Sequence, residues 1–167
     1  MTRLSVESQD PFLNPLDLVE QVVMDRDWAF DRPSDDELVA EVTSSWCNYR
    51  IWFTWQSDVS ALIFSCTFET KLPKNIRARI YPLLAMVNER IWLGHFDLSS
   101  DEGAITFRHA LLSDENNGVS SGQLESLLDI AINECDRFFP AFQSVIWGNK
   151  AAEEALAVAI FDTQGEA

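Results

Sequence analysis

Tyr49-Arg-Ile-Trp-Phe-Thr-Trp55, the polar turn Gln56-Ser-Asp58, and Leu62-Ile-Phe-Ser-Cys-Thr-Phe68 decide the fold class. Tyr49, Ile51, Phe53 and Trp55 alternate with Arg50, Trp52 and Thr54. Beyond the turn, Leu62, Phe64, Cys66 and Phe68 alternate with Ile63, Ser65, Thr67 and Glu69. A period of two is that of a strand, and a polar turn between two such runs makes an antiparallel hairpin. Working outward, Leu38, Ala40 and Val42 alternate with Val39 and Glu41 as a third strand, and Phe30 begins a short fourth before Arg32-Pro-Ser-Asp-Asp36. Before these strands, Asn14 precedes Pro15, and Leu16, Val19, Val22 and Val23 recur at helical spacing with Asp17 and Glu20 in the first turn. That pattern predicts an N-capped amphipathic helix of about three turns, ending near Trp28.

On the other side of the hairpin, Pro73 opens a run in which Ile76, Ile80, Leu83, Leu84, Val87 and Ile91 fall at steps of three and four until Gly94. This predicts a helix bent at Pro82, whose ring removes one backbone hydrogen bond. His95–Leu98 and Ile105–Leu112 flank Ser99-Ser-Asp-Glu-Gly103 as a second hairpin, and Asp114-Glu-Asn-Asn-Gly118 reads as a loop. Ser120 with Gln123 forms a capping box before a long apolar stripe that kinks at Pro140 and stops at Gly148; Ala151 to Ile160 closes the chain as a short helix. Strands grouped in hairpins argue for an α+β domain: an antiparallel sheet of five to six strands with flanking helices. Residues 14–160 form this single domain, between flexible segments 1–13 and 161–167.

Composition removes whole classes of function. With 167 residues, 47% hydrophobic content, six Trp and eleven Phe, the chain can build one core. Twelve Lys and Arg against 27 Asp and Glu give a net charge of −15, which sets the surface against nucleic acid. Residues 1–43 carry eleven acids against three bases, yet are too apolar for an acidic disordered tail. No run approaches the ~18 apolar residues of a membrane span, and Met1-Thr-Arg-Leu-Ser-Val-Glu7 lacks the apolar core of a secretory signal, so the expected setting is cytoplasmic, without membrane contact. Cys47, Cys66 and Cys135 are odd in number, widely spaced and set among apolar residues. They read as buried reduced thiols.

Three stretches carry a resemblance. Leu83-Leu-Ala-Met-Val-Asn-Glu-Arg-Ile-Trp-Leu-Gly-His-Phe-Asp-Leu98, Ile105-Thr-Phe-Arg-His-Ala-Leu111 and Val145-Ile-Trp-Gly-Asn-Lys-Ala-Ala-Glu-Glu-Ala-Leu156 resemble the YbjN family of bacterial sensory-transduction regulators, over about residues 14–160 by order of elements. The resemblance implies a fold like that of type III secretion chaperones, a bacterial cytosolic setting, and a regulatory or chaperone-like role without established catalytic residues.

Candidate chemistry is sparse. His95 and Asp97 share one strand face, His109 lies on the neighbouring strand, and Asp101 and Glu102 occupy the turn; two His and a carboxylate would ligate a divalent metal or set up a general base, as in a small hydrolase. Against that alternative, there is no His-x-x-x-His pair, no Gly-x-Ser-x-Gly elbow, no Cys-x-x-Cys and no glycine-rich phosphate loop. No cofactor and no small-molecule substrate are expected.

Two other features stand out. Trp46, Trp52 and Ile63 fall on the sheet face opposite Tyr49 and Phe53 or near its rim, and helices on one face only would leave them to a partner chain. Lys71, Lys74, Arg77 and Arg79 gather at a helix start, where their charge opposes the macrodipole; pairing with acids is their expected role. The reading is a non-enzymatic protein-binding module, homodimeric and acting on a protein client, with Trp46, Trp52 and Ile63 as its contact residues.

Overall fold

The Asn14 side chain accepts the Leu16 N–H at 2.9 Å, Pro15 takes the first helical position and Asp17 lies in the first turn, so α1 (Pro15–Asp25) starts as its sequence predicts. The computed structural model describes residues 14–114 and 118–164. The segment expected to be flexible at 1–13, the middle of the Asp114–Gly118 loop and residues 165–167 lie outside the described residues. α1 stops short of Trp28 because Asp27, at φ 55°, turns the chain and returns the Trp28 N–H to the Val23 carbonyl at 3.1 Å.

Six strands follow the alternation: β1 (Ala29–Ser34), β2 (Glu37–Thr43), β3 (Asn48–Gln56), β4 (Ala61–Lys71), β5 (His95–Leu98) and β6 (Ala104–Leu112). All pairings are antiparallel, in the order β1-β2-β3-β4-β6-β5. Phe53 stands opposite Leu38 on one side and Phe64 on the other, and Cys66 opposite Phe107, so one face is continuously apolar. On that face Leu38, Ile51, Phe53, Leu62, Phe64 and Phe107 are fully buried.

α1, α2 (Lys74–Asn88), α3 (Ser121–Ile146) and α4 (Ala152–Gln164) all contribute to this one core. Phe138 and Phe142 of α3 meet Phe96 of β5 at ring-centre distances of 6.2 and 5.5 Å, and Phe68 meets Phe139 edge-on at 5.4 Å. Edge-to-face pairs of this kind add roughly 0.5–1.5 kcal/mol beyond the area they bury. The Ser120–Gln123 capping box is formed, and Pro82 and Pro140 lie inside α2 and α3, each withholding one N–H from its helix.

Two further boundaries differ from the sequence reading. α2 ends at Asn88 and not near Gly94, because the Asn88 amide is committed to β5; Gly94, at φ 71° and against the Phe107 ring, then turns the chain into that strand. α4 continues past Ile160 to Gln164, so part of the expected tail is helical. Cys66 and Cys135 are buried free thiols with their sulfurs 3.7 Å apart, and burial holds Cys135 well above the usual thiol range. Cys47 is only half-buried, its thiol pushed up to about 11 by desolvation.

Candidate functional site

The alternation that fills the core leaves the opposite sheet face without a helix. Across it, Asp31, Val39, Trp52, Ser65, Arg108 and His95 stand in register as one row over all six strands. The next row runs Ala29, Glu41, Arg50, Thr67, Thr106 and Asp97. Ion pairs punctuate both: Arg50 to Glu41 at 3.1 Å and Arg108 to Asp97 at 2.6 Å, with the Thr67 and Thr106 hydroxyls 3.0 Å apart between them. These ion pairs are water-exposed and contribute about 0–1 kcal/mol each. Trp52 and Ile63 are the large half-buried apolar groups near the centre of this face.

Trp52 also separates two hollows. One of about 350 Å³ lies toward the β1 edge, bounded by Ala29, Asp31, Val39 and Glu41. The other, of about 360 Å³, lies toward the β5–β6 turn and is polar, with Ser65, Thr67, Asp101, Glu102 and Arg108 in its walls.

The register corrects the hydrolase alternative. His95 pairs with Arg108 and shares its face with Asp97, whereas His109, next along β6, pairs with Phe64 and points to the helix-covered side. A two-His-one-carboxylate set is therefore not assembled, and Asp97 is engaged by Arg108. Among the described residues no group of three or more His, Cys, Asp or Glu gathers to hold a metal. Burial, and secondarily the charge of His95, lower the pKa of His109 below the usual imidazole value.

A family model described as "Putative bacterial sensory transduction regulator", the YbjN model, matches residues 15–144. The chain belongs to the YbjN family. Among solved structures, "Crystal structure of YbjN, a putative transcription regulator from E. coli" is similar with a TM-score of 0.53 at 12% identity, covering 80% of this chain and 90% of that one. At that identity the likeness is one of fold, and it agrees with the antiparallel α+β architecture described above. No curated protein matches the chain.

This YbjN family member does not bring all three contact candidates together. Trp52 and Ile63 share the helix-free face, but Trp46 lies in the β2–β3 loop, half-exposed, its ring 6.3 Å from Phe139 of α3. The loop is held there by Ser44 and Tyr49, whose hydroxyls both donate to the Asp136 carboxylate, Tyr49 at 2.5 Å. Burial and that bond push the Tyr49 pKa far up. The basic cluster also has another role than pairing with acids. Arg77 donates from Nε to the Leu72 carbonyl at 3.2 Å and from Nη1 to the Ser100 carbonyl, clamping the start of α2 to the β5–β6 turn, while Arg79 reaches the Lys150 carbonyl. Missed by the sequence reading are Trp92, Trp147 and Phe161, exposed at 77%, 60% and 72%. Each lies at or beyond a helix end or on a face the apolar stripe does not mark, so periodicity gives no signal for them.

Proposed function

We propose that this chain is a non-enzymatic regulatory module of the bacterial cytoplasm that binds a client protein in a chaperone-like manner and forms a homodimer. Its contact surface is the helix-free sheet face around Trp52 and Ile63; Trp46, against Phe139 of α3, stands outside it. The observation that carries this reading is the placement of Trp52: a large indole near the middle of a six-strand row, between two hollows, on the sheet face that no helix covers. Apolar area of that size loses about 25 cal/mol per Å² of favourable burial while it faces water, so a partner that covers it gains affinity. The family's regulatory description supports the same reading.

The test uses the full chain and its Trp52→Ser, Ile63→Ser variant. Light scattering at micromolar concentration should give a dimer mass for the first. Proteins retained from native lysate by the wild type should be lost from the variant while its thermal unfolding is unchanged. A monomer mass for both removes the homodimer, and identical retained proteins remove the contact surface.

A further inference from the structure

An open sheet has two edges, and this fold treats them differently. On β5 the Asn88 amide acts as a strand would, donating from Nδ2 to the Phe96 carbonyl at 3.0 Å and accepting the Phe96 N–H at 2.8 Å on Oδ1. That edge is closed at its centre. β1, at the other edge, is exposed at five of its six positions, and among the described residues no backbone outside β2 pairs with it. Pro33 withholds a donor, the register shifts between Asp31 and Ser34, and the Arg32 N–H already donates to Oδ1 of Asp31 at 2.9 Å, so the open stretch is Ala29–Asp31.

The hollow of about 350 Å³ lies immediately inside this stretch on the helix-free face. A strand laid along β1 would place every second side chain over it. Its floor is apolar, from Val39 and Trp52, and its rim carries Asp31, Glu41 and Arg50. Glu41 is already paired to Arg50 at 3.1 Å, which leaves Asp31 as the acid there without a cation partner among the described residues. A Lys or Arg satisfies floor and rim at once, its stem lying on Val39 and Trp52 and its charged head reaching Asp31. A second copy does not. Pairing β1 with β1 would set Asp27, Asp31 and Asp35 of one chain against the same acids of another, each chain carrying −15, and like charges opposed in a sheet are destabilising.

We propose that the β1 edge and the hollow beside Trp52 receive an extended basic segment of a partner protein by strand addition, with Lys or Arg at alternate positions over the hollow. This rests on the proposed protein-binding role of the helix-free face and names the chemistry of its partner. Backbone pairing supplies affinity and Asp31 at the rim supplies selectivity.

The probe is a synthetic Lys-Thr-Lys-Val-Lys-Thr-Lys peptide titrated into the isotope-labelled full chain. Backbone amides of Ala29–Asp31 and the Trp52 indole N–H should shift together. The same peptide methylated on alternate backbone nitrogens keeps its charge but not its ladder, and should bind at least about tenfold more weakly. A Glu-substituted peptide should not bind, and Val39→Lys, which places a charge on the floor, should remove binding of the Lys peptide. Equal binding of the methylated peptide, shifts confined to other elements, or no binding by any peptide would overturn strand addition. A client lost on Trp52→Ser together with an indifferent β1 edge would sink this inference and leave the face reading standing. A peptide that pairs with β1 while the Trp52→Ser, Ile63→Ser protein keeps its client would do the reverse.

Discussion

Asn88→Ala removes the group that both ends α2 and closes the β5 edge. Two hydrogen bonds disappear, at 2.8 and 3.0 Å, and they leave the N–H and the carbonyl of one residue, Phe96, unpaired together. A hydrogen bond of this kind contributes roughly 0.5–1.5 kcal/mol net, and a buried group left without a partner costs about 1–3 kcal/mol. Phe96 is only 2% exposed, but an edge strand admits water more easily than a central one, so the loss should be about 2–4 kcal/mol. In a domain of this size 3 kcal/mol corresponds to a fall of about 6–12 °C in Tm. Asn88→Asp separates the two bonds. Its carboxylate still accepts the Phe96 N–H but faces the carbonyl with a lone pair, so it should be destabilised at pH 7 and should recover toward wild type near pH 4, where a protonated acid donates again. Urea denaturation followed by tryptophan fluorescence gives the free energies, and hydrogen exchange at the Phe96 amide reports the edge itself. An Asn88→Ala protein within about 0.5 kcal/mol of wild type, with Phe96 exchange unchanged, would refute the reasoning.

Two further outcomes follow from local geometry. Gly103 has φ 71°, and an added Cβ would lie 2.4 Å from the Leu72 carbonyl oxygen and 2.5 Å from Nη2 of Arg77, so Gly103→Ala should destabilise by roughly 1–3 kcal/mol in thermal melts and loosen the Arg77 clamp. His109, its pKa depressed by burial, makes the unfolded chain bind more protons than the folded one just below the unfolded imidazole value of about 6.5. Its contribution is therefore present above that pH and lost as pH falls through the depressed folded value; the Tm of wild type should drop from pH 7.5 to 5 more steeply than that of His109→Gln, and parallel curves would discount it.

Periodicity carried the strands, the Asn14 cap and the Ser120–Gln123 box, because each of these depends on residues within a few positions of one another. What it could not carry depends on residues far apart. The face on which His109 falls is set by the pairing of Phe64 with His109, and a slip of one residue would reverse it. The end of α2 is decided by Asn88 meeting a strand eight residues on, since the apolar spacing continues to Ile91 beyond the point where the helix stops. Trp46 misled for a related reason: the alternation of β3 extends backward to it by count, but Ser44 and Tyr49 bind Asp136 of α3 and draw the loop toward the helices. The cationic residues at the start of α2 look like a surface cluster in one dimension, yet Arg77 is used up on the carbonyl oxygens of Leu72 and of Ser100 in the β5–β6 turn.

The two faces of the sheet differ in how much of the stability they carry. Substitutions between the helices and the inner face reach a core in which Phe96, Phe107, Phe138 and Phe142 are all at most 2% exposed, where removing a ring costs about 3–5 kcal/mol. Away from the buried Thr106 and Ala104, the outer face holds half-buried or exposed groups joined by water-exposed ion pairs, so those residues can change with little effect on folding. Asn88 blunts the β5 edge that would otherwise invite unselective pairing, and leaves Ala29–Asp31 of β1 as the open edge. With one edge closed and one face uncovered, the proposed choice of partner rests on Trp52 and Asp31, independently of what holds the fold together.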